Sequence, residues 1–122
     1  NYMETQAGRN LPVPHCVRGT VGWEIIQQLQ GYTAGKNIVD KPTFGSAVLG
    51  ELLAEMHQQE PIEAITLIGL CTDICVISNA LIIKATFPDA QVKVNSACCA
   101  GVTPESHDAA LKTMQMCQVE VV

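Results

Sequence analysis

The chain has 122 residues, a length that fits one domain of ordinary size. It is 48% hydrophobic and 16% charged, which excludes a disordered segment, and a net charge of -5 with scattered Lys and Arg excludes the basic stripe of a nucleic-acid binder. Aromatics make up only 4%, so the core is expected from Ile, Leu, Val and Ala, the composition of parallel strands buried under helices.

Residues 1–22 are rich in Gly, Pro and polar residues and read as loop, with Leu11-Pro12-Val13-Pro14 extended because each residue before a proline is pushed out of the helical region. The first residue is Asn1 rather than an initiator Met, so the chain is expected to be the C-terminal two-thirds of a single domain. Residues 23–29 predict a short helix and residues 37–40 a short strand ended by Lys41-Pro42. Ser46 is a suitable N-cap for a helix over 47–59, where Val48, Leu49, Leu52, Leu53 and Met56 recur at helical spacing. Ala64–Leu70 is apolar on both alternations, the pattern of a strand covered on both faces. Thr72 or Asp73 is expected to cap a helix over 74–85, apolar nearly all round and so either deeply packed or part of a subunit interface. A strand over 91–97, a helix from Pro104 to Met116 capped by Thr103, and a strand over 119–122 complete the chain. This strand–helix alternation predicts an α/β fold, a parallel sheet with helices on both faces and the ligand site beyond the carboxyl ends of the strands.

The longest apolar runs are broken by Thr72 and Asp73 and are too short to span a bilayer. With no charged-then-apolar leader, the expected location is cytoplasmic and the six cysteines are read as reduced thiols. Cys71 and Cys75 are separated by three residues, which is wrong for a thioredoxin-like pair, and His15-Cys16, Cys98-Cys99 and Cys117 lack the short paired spacing of a structural zinc site. Cys98 and Cys99 read as core or pocket wall, and His57 and His107 as solvated helix residues.

Cys75 lies in the first turn of a helix that follows a buried strand. A helix N-terminus lowers a thiol pKa and offers free N–H groups to an oxyanion, so Cys75 is a candidate nucleophile; a buried structural cysteine is the competing reading. Lys41, at the end of the short strand over 37–40, is a candidate cation to favour the thiolate, against the alternative of a solvated surface lysine.

Four ordered segments turn these alternatives towards function. The run Ile68-Gly69-Leu70-Cys71-Thr72-Asp73-Ile74-Cys75-Val76 resembles the nucleophile motif of isochorismatase-like cysteine hydrolases, the family that includes nicotinamidases. Leu11-Pro12-Val13-Pro14-His15-Cys16-Val17-Arg18-Gly19-Thr20, Asp40-Lys41-Pro42-Thr43-Phe44 and Cys98-Cys99-Ala100-Gly101-Val102-Thr103 match in the same order. The resemblance implies a Rossmann-like three-layer sandwich whose first two strands are absent from this chain, and a preceding segment that completes the sheet and brings the triad Asp. It implies Cys75 as nucleophile and Lys41 as the triad lysine. A cis peptide at Leu70–Cys71 would aim the Cys71 and Cys75 N–H groups as an oxyanion hole, and Phe44 would line the substrate pocket. His15 aligns with one ligand of a metal such as zinc, although the reaction itself requires no cofactor.

The expected activity is hydrolysis of the C–N bond of a small amide through a thioester, by a homo-oligomer with neither nucleic-acid nor membrane partners. Isochorismatase-type hydrolysis of a vinyl ether and a catalytically silent assembly module of the same fold are the alternatives.

Overall fold

The computed structural model describes residues 2–122, so Asn1, part of the expected N-terminal loop, lies outside the described residues. The chain divides into two compact units, residues 1–42 and 43–122.

The first unit contains a 3₁₀ turn at Tyr2–Glu4, a short helix α1 (Gln6–Asn10), a second 3₁₀ turn at Val21–Trp23 and helix α2 (Gln27–Thr33). The N-terminal loop predicted from Gly and Pro content thus holds local helix, because Thr5 caps α1 by accepting from the Gly8 N–H at 3.0 Å. The Tyr2 hydroxyl lies 3.2 Å from the Ala7 carbonyl and 3.1 Å from that of Leu11, tying both ends of this turn together. The helix expected over 23–29 is displaced to α2. Residues 37–40 form no strand: the β-branched pair Ile38-Val39 holds strand geometry only with a hydrogen-bonded neighbour, and the described sheet is confined to the second unit.

The second unit is a three-stranded parallel sheet of order β1-β2-β3, with β1 at Ala64–Leu70, β2 at Gln91–Ala100 and β3 at Glu120–Val121. Helix α3 (Ala47–Gln59) precedes the sheet, α4 (Ile77–Thr86) connects β1 to β2, and α5 (Pro104–Met116) connects β2 to β3. Caps act where the sequence places them: Ser46 accepts from the Leu49 N–H, and Thr103 and Ser106 form a reciprocal capping box with Pro104 in the first turn. The core is one apolar cluster in which Val92 and Val94 of β2 meet Val76, Ala80 and Ile83, and Met114 and Val119 close it from the α5 side. Alternate residues of β1 divide accordingly, with Ile65 and Leu67 packed against this cluster and Thr66, Ile68 and Leu70 exposed.

The β1–β2 ladder is irregular at its carboxyl end. Leu67 pairs with Val94, but Gly69 pairs with Cys99 and Leu70 with Ala100, so β2 carries extra residues between these pairs. This brings the Cys98–Gly101 stretch alongside the end of β1. In the same interval Ser96 turns to β3, its N–H donating to the Val122 carbonyl at 2.8 Å.

Candidate active site

The carboxyl end of β1 runs directly into the turn that bears Cys75. Gly69 has φ +126°, a conformation available to glycine because it lacks Cβ, and the Leu70–Cys71 peptide is cis. The next residues, Thr72–Val76, form a π-helical turn that opens into α4. The wider turn is defined by its hydrogen bonds: the Cys71 carbonyl accepts from Ile74 at 3.1 Å and from Val76 at 3.0 Å, and the Ile77 N–H reaches the Thr72 carbonyl. Cys71 occupies the N-cap without a side-chain cap bond. The expected capping role of Thr72 or Asp73 therefore gives way to other partners. Cys75 is the fourth residue of the turn and is half-buried, as is Cys71.

Both polar side chains of the turn point across to α5. The Asp73 carboxylate accepts from the Val102 N–H at 3.0 and 3.2 Å and from the Ser106 hydroxyl. The Ser106 hydrogen bond is the main reason that the Asp73 carboxyl is held below the usual carboxylate range. Thr72 is fully buried and shares a hydrogen bond of 2.8 Å with Nδ1 of His107. His107 is thus not the solvated helix residue expected from sequence; it also closes over Gly101, where a Cβ would stand 2.8 Å from the His107 Cβ and 3.0 Å from its Cα and N. Burial, and then the nearby charges of Asp73 and Cys75, push the Cys71 thiol up, which keeps it neutral.

Phe44 belongs to the same unit as Cys75 and is half-buried. Its carbonyl accepts from the Asn79 carboxamide at 3.2 Å, and the same nitrogen donates to the Cys75 carbonyl at 2.8 Å. Leu70, Cys71, Cys75 and Phe44 are therefore gathered at one end of the sheet. Asn79, Asp73 and His107 support that cluster, and none of the three roles is signalled by its local sequence.

Lys41 and His15 belong to the first unit and are exposed. Asp40, beside Lys41, pairs with Arg18 at 2.5 Å, and the Arg18 guanidinium lies 4.9 Å from the centre of the Trp23 ring. His15 packs edge-on against Tyr2, and its Nδ1–H donates to the Val13 carbonyl at 2.6 Å. Among the described residues no three His, Cys, Asp or Glu side chains converge, so they do not by themselves fit a metal centre. Two open grooves of the first unit, walled by residues such as Trp23, Ile25, Gln30 and Ile38, contain none of the expected site residues. All six cysteines are free thiols, and no helix among the described residues is long and apolar enough to cross a membrane.

Solved structures share this architecture. A nicotinamidase from Bacillus subtilis matches with a TM-score of 0.78 at 24% identity over 98% of this chain and 68% of its own. A pyrazinamidase/nicotinamidase from Streptococcus mutans matches with a TM-score of 0.75 at 24% identity, over 94% of this chain and 66% of its own. An isochorismatase-like hydrolase from Alkaliphilus metalliredigens matches at 0.71 and 24%, over 97% and 62%. The chain thus spans about two thirds of the length of these structures, and at such identities the likeness establishes the fold. The family model of the isochorismatase domain matches residues 1–122, and the chain belongs to that family.

Proposed function

We propose that the protein is a cysteine-dependent hydrolase that cleaves the C–N bond of a small amide, with Cys75 as nucleophile. The observation that carries this reading is the placement of Cys75. It stands half-buried in the opening turn of a helix at the carboxyl end of a parallel strand, where α/β folds bind ligands, and Phe44 is tied beside it. A thiol there meets the positive end of a helix dipole, and nearby backbone N–H groups suit the oxyanion of a tetrahedral intermediate. Cys71 and Cys75 are the residues we assign to that oxyanion hole. Cys71 is kept neutral by its surroundings and does not compete as a nucleophile.

The proposed cycle is acyl transfer. The Cys75 thiolate attacks the amide carbonyl, the amine leaves with a proton, and water hydrolyses the thioester. Lys41, three residues before Phe44 in the chain, is assigned as the cation that favours the thiolate. The proton carrier is assigned to an Asp on a strand from a segment preceding this chain, in keeping with the family resemblance. The cycle uses no cofactor, and no step of it runs through the metal for which His15 is one candidate ligand.

Replacement of the nucleophile separates this reading from its competitors. Cys75→Ala is expected to lower amidase turnover by about 10⁴-fold or more. The measurement is single-turnover release of ammonia from a panel of small amides. Full turnover by the Cys75→Ala protein would overturn the assignment.

A further inference from the structure

Asn79 lies one turn after Cys75 on α4 and is only 8% exposed. Asparagine is a poor residue for a helix interior, because its side chain competes for backbone hydrogen bonds, so its presence in this apolar helix calls for a tertiary partner. It has three. Its Oδ1 accepts from the Ser46 N–H at 3.0 Å, and its Nδ2 donates to the carbonyls of Phe44 at 3.2 Å and Cys75 at 2.8 Å. An N–H on one side and two carbonyls on the other fix the orientation of the carboxamide. Ser46 is also the cap of α3, so one side chain joins the turn of Cys75, the loop of Phe44 and the start of a third helix. Gly45 tightens the joint, since a Cβ there would stand 2.6 Å from Ile82 Cδ1 and 3.3 Å from the Ser78 Cβ. The Phe44 and Cys75 carbonyl oxygens share one donor and are no farther apart than those two bonds laid end to end.

We propose that Asn79 is a positioning residue for substrate selection: it holds the Phe44 loop against the Cys75 turn and so sets the fit of flat, apolar acyl groups beside the thiol. This inference rests on the reading of Cys75 as nucleophile and Phe44 as pocket wall, and it adds the residue that fixes the distance between them. Removing the carboxamide frees the loop, while the Cys75 turn keeps its own backbone bonds from Ile74 and Val76 to the Cys71 carbonyl. Recognition of a ring then suffers more than the intrinsic reactivity of the thiol.

The test uses the full-length protein and two alkylating agents of the same chemistry, iodoacetamide and N-benzyl iodoacetamide, with modification of Cys75 followed by peptide mass spectrometry. In Asn79→Leu the rate ratio of the benzyl to the parent reagent is expected to fall about tenfold while the iodoacetamide rate stays within about twofold, the scale at which pocket contacts discriminate. Phe44→Leu is expected to lower the same ratio, and the double variant to lower it no further. If Asn79→Leu does not fold, Asn79→Asp decides on the same ratio, because it keeps the acceptor for Ser46 and loses the donor that joins Phe44 to Cys75. A ratio that is unchanged or raised, or two rates that fall together, would overturn the proposal. Cys75 inert to both reagents in the unsubstituted protein would instead sink the nucleophile reading, and this inference with it.

Discussion

Gly69 stands immediately before the turn that carries the candidate nucleophile, and its φ of +126° lies where side chains are strongly disfavoured. No atom lies within 4 Å of a Cβ built there, so the cost of Gly69→Ala is backbone strain alone. It is expected to be about 1–3 kcal/mol, read as a shift of the urea midpoint at unchanged slope. Gly31→Ala, in the middle of α2 with equally open space, is expected to be neutral or to stabilise by up to about 1 kcal/mol. Equal effects at the two positions would contradict the strain argument. At this scale the sequence discloses residues whose role is local. Cys75 is recognisable because strand, turn and thiol are contiguous. Asn79, Asp73 and His107 are not, since the tertiary partners that define their roles lie 29 to 35 residues away and no spacing rule connects them.

Among the elements, α5 is docked on the nucleophile turn through Asp73, which takes the Val102 N–H and the Ser106 hydroxyl, and through the Thr72–His107 pair. The Ser106 hydroxyl is the largest cause of the lowered Asp73 pKa, followed on the lowering side by the N–H groups of Val102 and Asp73 and the His107 charge, with burial opposing them. An unfolded Asp titrates near pH ~4. A folded value below that means the ionised carboxylate contributes stability that is complete above the unfolded pKa and is lost as pH falls through the folded one. Ser106→Ala removes the largest cause. It is expected to move the acid-unfolding midpoint to higher pH, followed by far-UV circular dichroism, and an unmoved midpoint would show that the contact contributes nothing. The helices of this unit and the apolar span of β1 are readable from period and caps because each signal lies within its own element. The π-helical turn and the irregular β1–β2 ladder depend on what the neighbouring strand does, and residues 37–40 have strand propensity without a paired strand.

For the molecule as a whole, the decisive feature is that β1 hydrogen-bonds to β2 on one side and ends the described sheet on the other. Towards its carboxyl end its outward residues are apolar, Ile68 at 59% and Leu70 at 69% exposure. An open edge bordered by exposed apolar side chains is a template for pairing with another chain, and parallel sheets are ordinarily covered on both faces. The apolar pattern of Ala64–Leu70 predicts a strand covered on both faces; among the described residues Ile65 and Leu67 supply a covered side, and Ile68 and Leu70 stand exposed on the other. The 122-residue chain expressed on its own is therefore expected to self-associate, with a sedimentation coefficient that rises with concentration. Ile68→Lys places a charge on the apolar face at the edge strand, and it is expected to shift the chain towards monomer without lowering the midpoint of unfolding, because Ile68 lies outside the core cluster. A chain that sediments as a monomer at all concentrations, or an Ile68→Lys variant that associates as strongly as its parent, would show that the exposed side of β1 is not an adhesive surface.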